Sequence, residues 1–86
     1  MVSNNIKILK NYHDLNILKY LIKECHFNPY EKDRDGRSLL YHNLNNLDIL
    51  KYLIEECHLN PYEKDKYGRS LLWDCNDLNI LKYLIE

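Results

Sequence analysis

The sequence lacks the features that would assign it to several large classes of protein. Its 86 residues carry 12 basic and 13 acidic side chains, a net charge of −1, whereas nucleic-acid and anionic-membrane binders normally show a basic excess. No apolar run approaches the roughly 18 residues of a membrane span. The first residues lack the apolar core of a secretory signal. We therefore expect neither nucleic acid nor membrane among its partners.

Glycine and cysteine are also scarce. The only two glycines, Gly36 and Gly68, lie in turn-like segments, so no glycine-rich loop is available to cradle a phosphate. The three cysteines are an odd number and form no CxxC pair, which is typical of free thiols in a reducing compartment. We expect a cytoplasmic location, with the nucleus as the alternative. The acidic residues are scattered, with no pair marked out for acid–base chemistry, so we do not expect an enzyme.

What the sequence does contain is a repeat. At an offset of 32 residues, segment 14–41 matches segment 46–73 at 21 of 28 positions, and the Leu-Asn-Ile-Leu-Lys-Tyr-Leu-Ile of 15–22 recurs at 78–85. Periods of 20–50 residues indicate stacked units that bury their apolar faces against one another. We assign a single domain over residues 1–86, made of a degenerate first repeat (4–32), a full repeat (33–64) and a truncated last repeat (65–86).

Each unit contains a long amphipathic helix. Apolar residues recur at three- and four-residue spacing over 15–25, 47–57 and 78–85, which predicts three helices. Pro29 and Pro61 exclude helix directly before them, because the residue preceding proline is pushed to extended conformations.

A turn and a shorter helix precede each long helix from the second repeat onward. Segments 33–36 and 65–68 begin with Asp and end with Gly, the preference of a type I β-turn. Ser38 and Ser70 follow as expected N-caps of short helices that carry the two leucines after each serine.

This order, headed by Asp-x-x-Gly-Arg-Ser-Leu-Leu, resembles the ankyrin repeat. The family's unit is about 33 residues long and carries a T-P-L-H-x-A signature on its first helix. Segments 38–43 and 70–75 match that signature, and 49–54 is similar to the end of the family's second helix. The resemblance implies an all-α fold, an α-solenoid of stacked helix-turn-helix repeats joined by β-turns and extended loops. It also implies a non-enzymatic module that presents a concave surface of turn tips and first helices to a protein partner.

Three positions depart from the family pattern. Tyr41 and Trp73 stand where the family prefers His, and two orientations are open for them. Inward they would replace His as packing, which we favour because a large aromatic contributes most when buried, and outward they would be anchors for a partner. Cys75 takes the place of a small Ala, so we expect it to be buried.

The residues of the turn tips and of the loop before the second long helix are the candidate binding residues. Two of three turn positions change between copies, which fits either drift of solvated residues or selection for a partner, and Tyr and Arg are frequent interface anchors. We name this set the predicted turn surface: Lys32, Arg34, Asp35, Arg37, Asn45, Asn46, Lys64, Lys66, Tyr67 and Arg69.

The pairs Cys25-His26 and Cys57-His58 are a lesser candidate, a metal or redox site. Adjacent residues at a helix end point about 100° apart, and stacked copies lie roughly 10 Å apart, too far to share one ion. The structural alternative is that Cys fills the inner face at the helix end and His satisfies terminal carbonyls. We expect no metal, no cofactor and no catalytic residue.

The last helix suggests a different function, a structural or self-associating element. Leu78, Leu81 and Ile85 would find only part of their packing partners, and the helix lacks the polar outer face of a terminal repeat. Either the sequence is a piece of a longer array, or this helix stacks on another copy of the chain.

Overall fold

The computed structural model describes residues 5–85, and the chain in this range folds into five helices with no strands. Their bounds are α1 Asn5–Leu9, α2 Leu15–Lys19, α3 Leu47–Lys51, α4 Leu71–Asp74 and α5 Leu78–Ile85. The all-α class is confirmed. Asn4 and Glu86, where the first predicted repeat begins and the last one ends, lie outside the described residues, and the boundaries of the repeats stay a prediction.

The three long helices begin at equivalent side-chain caps. Asp14 Oδ1 accepts the backbone N–H groups of Asn16 and Ile17 at 2.8 and 3.1 Å. Asp77 Oδ1 repeats the contact in the last unit, and Asn46 Oδ1 accepts from the N–H of Ile49 at 3.2 Å. Each cap satisfies donors that the first helical turn leaves unpaired.

Two of the long helices end in a wider turn. α2 continues as a π-helical turn over Tyr20–Glu24, and α3 does the same over Tyr52–Glu56. His26 and His58 follow with φ of 59° and 61°, the left-handed conformation that usually belongs to glycine at a helix end. The helices therefore end before Pro29 and Pro61, and they are terminated by histidine residues in the left-handed conformation.

The short helix of the second repeat differs from the prediction. A single 3₁₀ turn occupies Tyr41–Asn43, one residue past the leucine pair, whereas the leucine pair of the third repeat opens α4. The N–H groups of Tyr41, His42 and Asn43 all donate three residues back, which makes a tight turn suited to a short connection. Ser38 Oγ accepts from the N–H of Leu40 at 3.3 Å, while Ser70 caps α4 without a side-chain hydrogen bond.

The core is one continuous cluster that runs through the repeats. Leu9, Leu18, Leu50 and Leu53 are completely buried, and Ile49 and Leu39 are as well. Cys75 is buried as predicted. Asn43 is a fully buried polar residue, and its Nδ2 donates to the carbonyl of Leu39 at 2.9 Å.

Candidate functional site

The two turns are built identically around an aspartate. Asp33 Oδ1 accepts the N–H groups of Asp35 and Arg37 at 2.9 and 3.0 Å, and Asp65 Oδ1 repeats both contacts with Tyr67 and Arg69. In each turn the Asp and Arg main chains also pair, N–H to carbonyl, at 3.0 and 2.9 Å. Because a carboxylate organises several N–H groups at once, these turns hold their shape without help from a partner.

The first turn is covered by the second. The N–H of Lys66 donates to the carbonyl of Asp35 at 2.8 Å, which ties the two turns together through the main chain. Gly36 adopts φ +75°, and a Cβ built there would lie 3.0 Å from the nitrogen of Lys66. Gly68 has φ +77°, but no described atom lies within 4 Å of its Cβ position. The second turn is therefore uncovered within residues 5–85.

Arg37 connects the second repeat to the third. Its Nε lies 3.0 Å from Asp65 Oδ2 and its Nη2 lies 3.4 Å from Asp74 Oδ2, while the guanidinium stacks 5.6 Å from the Tyr41 ring. Burial raises the pKa of the Asp65 carboxyl, but the Arg69 N–H, the Arg37 guanidinium and the Tyr67 N–H outweigh it and hold the pKa below its usual value. Arg37 was predicted as a binding residue, and the structure gives it a role in holding two repeats together.

Arg69, the counterpart of Arg37, has different surroundings. Its guanidinium lies 4.9 Å from the centre of the Trp73 ring and 5.7 Å from that of Tyr67. Trp73 is 66% exposed and Tyr67 is 59% exposed. No carboxylate lies within ion-pair distance of Arg69 in the described part of the chain. We call these three residues the Arg69 cluster.

Tyr41 and Trp73 take the two orientations that the sequence left open. Tyr41 is half-buried, and the single hydrogen of its hydroxyl is shared between the carbonyls of Glu63 and Arg69, which lie 2.9 and 2.8 Å from the hydroxyl oxygen; the contact with Arg69 joins the second repeat to the third. Trp73 has no hydroxyl and lies exposed over Arg69. The packing that we favoured is confirmed for Tyr41 and wrong for Trp73, because no described unit covers the outer side of the third repeat.

The lysines and acids of the predicted turn surface form weak, solvated pairs. Lys32 Nζ lies 3.1 Å from Glu63 Oε2, and Lys66 Nζ lies 3.4 Å from Asp35 Oδ1. Exposed pairs of this kind contribute about 0–1 kcal/mol, so these side chains stay available to a partner. Arg34 and Lys64 are exposed, and no described side chain pairs with either.

The two loop asparagines of the predicted turn surface have separate roles. Asn46 is the cap of α3, and its Nδ2 donates to the carbonyl of His13 at 3.4 Å. Asn45 is exposed and borders an open groove of about 630 Å³. Beyond Arg37 and Asn45, this groove is lined by Tyr41, His42, Leu44, Asp74, Asn76 and Asp77.

Several residues of the groove were missed at the level of sequence. His42 Nε2 lies 2.9 Å from Asp33 Oδ2. Asp74 is the equivalent residue of the next copy in sequence, and it lies beside Arg37. Both residues lie in the short helical segment, where one copy has Tyr-His and the other Trp-Asp. That change of two adjacent residues between largely similar copies was the available signal.

The Cys-His pairs do not form one site. Cys25 is exposed, contrary to the expectation of an inward-facing thiol, and Cys57 is buried. Burial raises the pKa of the Cys57 thiol, with a smaller lowering by Tyr52, so the thiolate that binds metal is disfavoured there. Within residues 5–85 no group of three or more His, Cys, Asp and Glu side chains is placed to hold a metal ion.

The geometry defines a class of protein, a helical solenoid of short repeats stacked through turns and helices. The family model for ankyrin repeats matches residues 6–86 as three copies, and the chain therefore belongs to the ankyrin-repeat family. Ankyrin repeats are generally protein–protein interaction modules and are typically not enzymes. No curated protein matches the chain. Among residues 5–85 no helix has both the length and the apolar character needed to cross a membrane.

Proposed function

We propose that this chain is a scaffold that binds a protein partner through its predicted turn surface, with the Arg69 cluster at the centre. The proposal rests on one observation, the exposed stacking of Arg69 between Tyr67 and Trp73 with no described carboxylate to neutralise it. Aromatic and arginine side chains contribute most of the energy at protein interfaces. We place this interaction in the cytoplasm or the nucleus.

The contrast with Arg37 supports the role of Arg69. Both arginines follow a glycine in the same turn, and Arg37 holds two carboxylates of the next repeat. Arg69 has the same guanidinium N–H donors, but two aromatic rings lie beside it where Arg37 has two carboxylates. Ring stacking restricts the guanidinium before binding, so the Arg69 side chain loses less conformational entropy when a partner docks.

The mechanism is the presentation of a preformed surface. The aspartate-centred turns and the Lys66–Asp35 main-chain hydrogen bond fix the positions of the turn tips. Preorganised interfaces of this kind move little on binding. We therefore expect the helical content of the chain to be the same in the free and bound states.

The test is the triple variant Lys66→Ala/Tyr67→Ala/Arg69→Ala. A partner captured with the wild-type chain is purified and titrated by calorimetry against wild type and variant. We expect affinity to fall about tenfold or more, because two anchor side chains are removed, while the circular dichroism spectrum stays unchanged. The matched control is Lys7→Ala/Glu24→Ala, two exposed residues on other elements, which should leave affinity unchanged. Equal affinity of the triple variant and wild type would contradict the proposal.

A second candidate function, self-association, is favoured by the outer side of the third repeat. Leu78 and Ile85 on α5 are 64% and 70% exposed, and Leu72 on α4 is also exposed. Apolar side chains this exposed on one repeat are typical of an interaction surface. Light scattering after size exclusion, over a range of concentrations, tests this function, since a molar mass of 10.5 kDa throughout would contradict it.

A further inference from the structure

We infer that copies of this chain associate head to tail, with α2 of one copy packed on α5 of another. The inference rests on the self-association proposed above and adds its geometry. We call Ile17 and Tyr20 the head face, and Leu78, Lys82 and Ile85 the tail face. Between successive repeats of one chain, residues equivalent to the tail face contact residues equivalent to the head face.

The internal contacts between repeats set the pattern. Lys19 Nζ lies 5.5 Å from the centre of the Tyr52 ring, and Lys51 Nζ lies 5.6 Å from that of Tyr83. These are equivalent positions of successive repeats. A lysine on one long helix thus lies over a tyrosine on the next, and this cation–π contact occurs twice within the chain.

One lysine and one tyrosine of this series have no such contact. Tyr20, the counterpart of Tyr52 and Tyr83, is 59% exposed, whereas Tyr52 is 5% exposed. Lys82, the counterpart of Lys19 and Lys51, is exposed, and no ring or carboxylate pairs with it in the described chain. Lys82 of one copy and Tyr20 of another therefore complete the pattern as a third identical contact.

The apolar residues of the two faces have the same complementarity. Ile17 is 42% exposed, whereas its counterpart Ile49 is fully buried. Ile54 is half-buried beside Tyr83 and Leu84 of the following repeat, whereas its counterpart Ile85 on the tail face is exposed. Stacking tail on head buries both faces as the internal interfaces do. Since the two faces are different surfaces, the contact is heterologous and each added copy offers a new free face.

Two blocked variants test the arrangement. Ile17→Lys places a charge on the head face and leaves the tail face intact, and Ile85→Lys does the reverse. Both isoleucines are exposed, so both variants should keep the wild-type circular dichroism spectrum and urea midpoint. Sedimentation or light scattering is measured from micromolar to millimolar concentration. The control is Glu56→Lys, which adds the same charged side chain at an exposed position of the middle repeat, outside both faces and outside the predicted turn surface.

The expected result has three parts. The molar mass of wild type and of Glu56→Lys rises with concentration and does not level off at a dimer. Each blocked variant alone stays at 10.5 kDa. Their equimolar mixture forms a species of twice that mass, because the intact tail of one variant binds the intact head of the other and neither can extend further.

Two results would overturn the inference, and they are distinguishable. A wild-type chain that stays monomeric throughout removes self-association altogether. A wild-type chain that associates while the blocked variants still associate alone, or while their mixture stays monomeric, rules out the head-to-tail geometry and leaves self-association standing. Neither result bears on partner binding by the Arg69 cluster.

Discussion

Two turn segments of this protein, residues 30–41 and 62–73, share most of their sequence and differ in their surroundings. The first segment is covered by the repeat that follows it, and the second is uncovered within residues 5–85. Leu40 is 1% exposed and Leu72 is 47% exposed. Arg37 binds two carboxylates, whereas Arg69 stacks on two exposed rings. A motif that stabilises the stack in one place is therefore available for binding in the other.

The same contrast extends to the tyrosines after each proline. Tyr30 is 58% exposed, but its hydroxyl donates to the carbonyl of Cys57 in the next repeat at 2.6 Å. Tyr62 is 72% exposed, and its hydroxyl has no described acceptor. The role of a residue in a repeat protein thus depends on whether a neighbouring unit contacts it, because each unit stacks only on its neighbours.

The largest expected difference between the two segments is in the leucines. Leu40→Ala should lower the free energy of unfolding by about 3 kcal/mol, because it leaves a cavity in the core, and Leu72→Ala by less than about 1 kcal/mol. Urea denaturation followed by circular dichroism measures both. Similar losses for the two variants would mean that Leu72 is covered in solution. That would happen, for example, in a head-to-tail assembly, so the measurement belongs at low protein concentration.

The second-largest expected difference is between the effects of replacing Arg37 and Arg69 on thermal stability. Arg37→Ala removes both ion pairs to the third repeat and leaves Asp65 inside the stack without its cation, so we expect Tm to fall by about 5 °C or more. Arg69→Ala should change Tm by about 1 °C or less, since stacking on exposed rings contributes little to folding. Thermal melts of the two variants at equal concentration give the comparison. A larger loss for Arg69→Ala would show that the Arg69 cluster is structural rather than available.

Acid should weaken the interface between the turns. The folded-state pKa of Asp65 lies below its usual value, and that of Asp33 is lowered as well by the N–H groups of Arg37 and Asp35 and by His42, despite burial. A lowered pKa contributes stability above the unfolded-state value of 3.8, and this contribution is lost as pH falls through the folded-state pKa. The unfolding free energy of the wild type should therefore decline from about pH 5 downward.

Asp65→Asn isolates the share of one carboxylate in this decline. The variant should be less stable than wild type at pH 7, and the difference should shrink as pH falls through the lowered folded-state pKa of Asp65, because the wild-type carboxylate is then neutralised as well. Urea midpoints at several pH values measure the difference. A difference that stays constant throughout the acid range in which both proteins remain folded would show that Asp65 acts through its shape and not through its charge.

The smallest expected difference is in the tyrosine hydroxyls. Tyr30→Phe removes a hydrogen bond between repeats and should cost about 0.5–1 kcal/mol of unfolding free energy. Tyr62→Phe should cost nothing measurable, because its hydroxyl meets only solvent in the described structure. Paired urea titrations resolve this difference when run side by side. Equal stabilities of the two variants would show that the Tyr30 hydrogen bond does not contribute to the stability of the native state.

Much of the fold could be predicted from the sequence because it depends on local patterns. The three long helices follow from the spacing of apolar residues, and two of them end one residue short of the predicted Cys25 and Cys57. Local rules failed at the short helix of the second repeat, where three successive 3₁₀ hydrogen bonds replace an α-helix. They also failed to identify His26 and His58 as the residues that terminate the two helices, because histidine is less usual than glycine in the left-handed conformation.

The candidate site was predicted as a list of residues without their roles. Arg34, Lys64 and Tyr67 are exposed, and their role in binding stays a prediction. Arg37 and Asn46 turned out to support the fold, as an inter-repeat strut and a helix cap. Two copies of the same motif cannot be told apart by local rules, since the sequence around them is nearly identical.

The sequence alone determined the repeat, the family and the positions of the long helices, because apolar periodicity and turn chemistry act over a few residues. The tertiary structure decided which copy of each residue is buried. Arg37 faces Asp65 and Asp74, while Arg69 faces rings and solvent, because a neighbouring unit covers one and no described unit covers the other. Burial depends on what packs against a residue, and in this protein that differs between two turns with almost the same sequence.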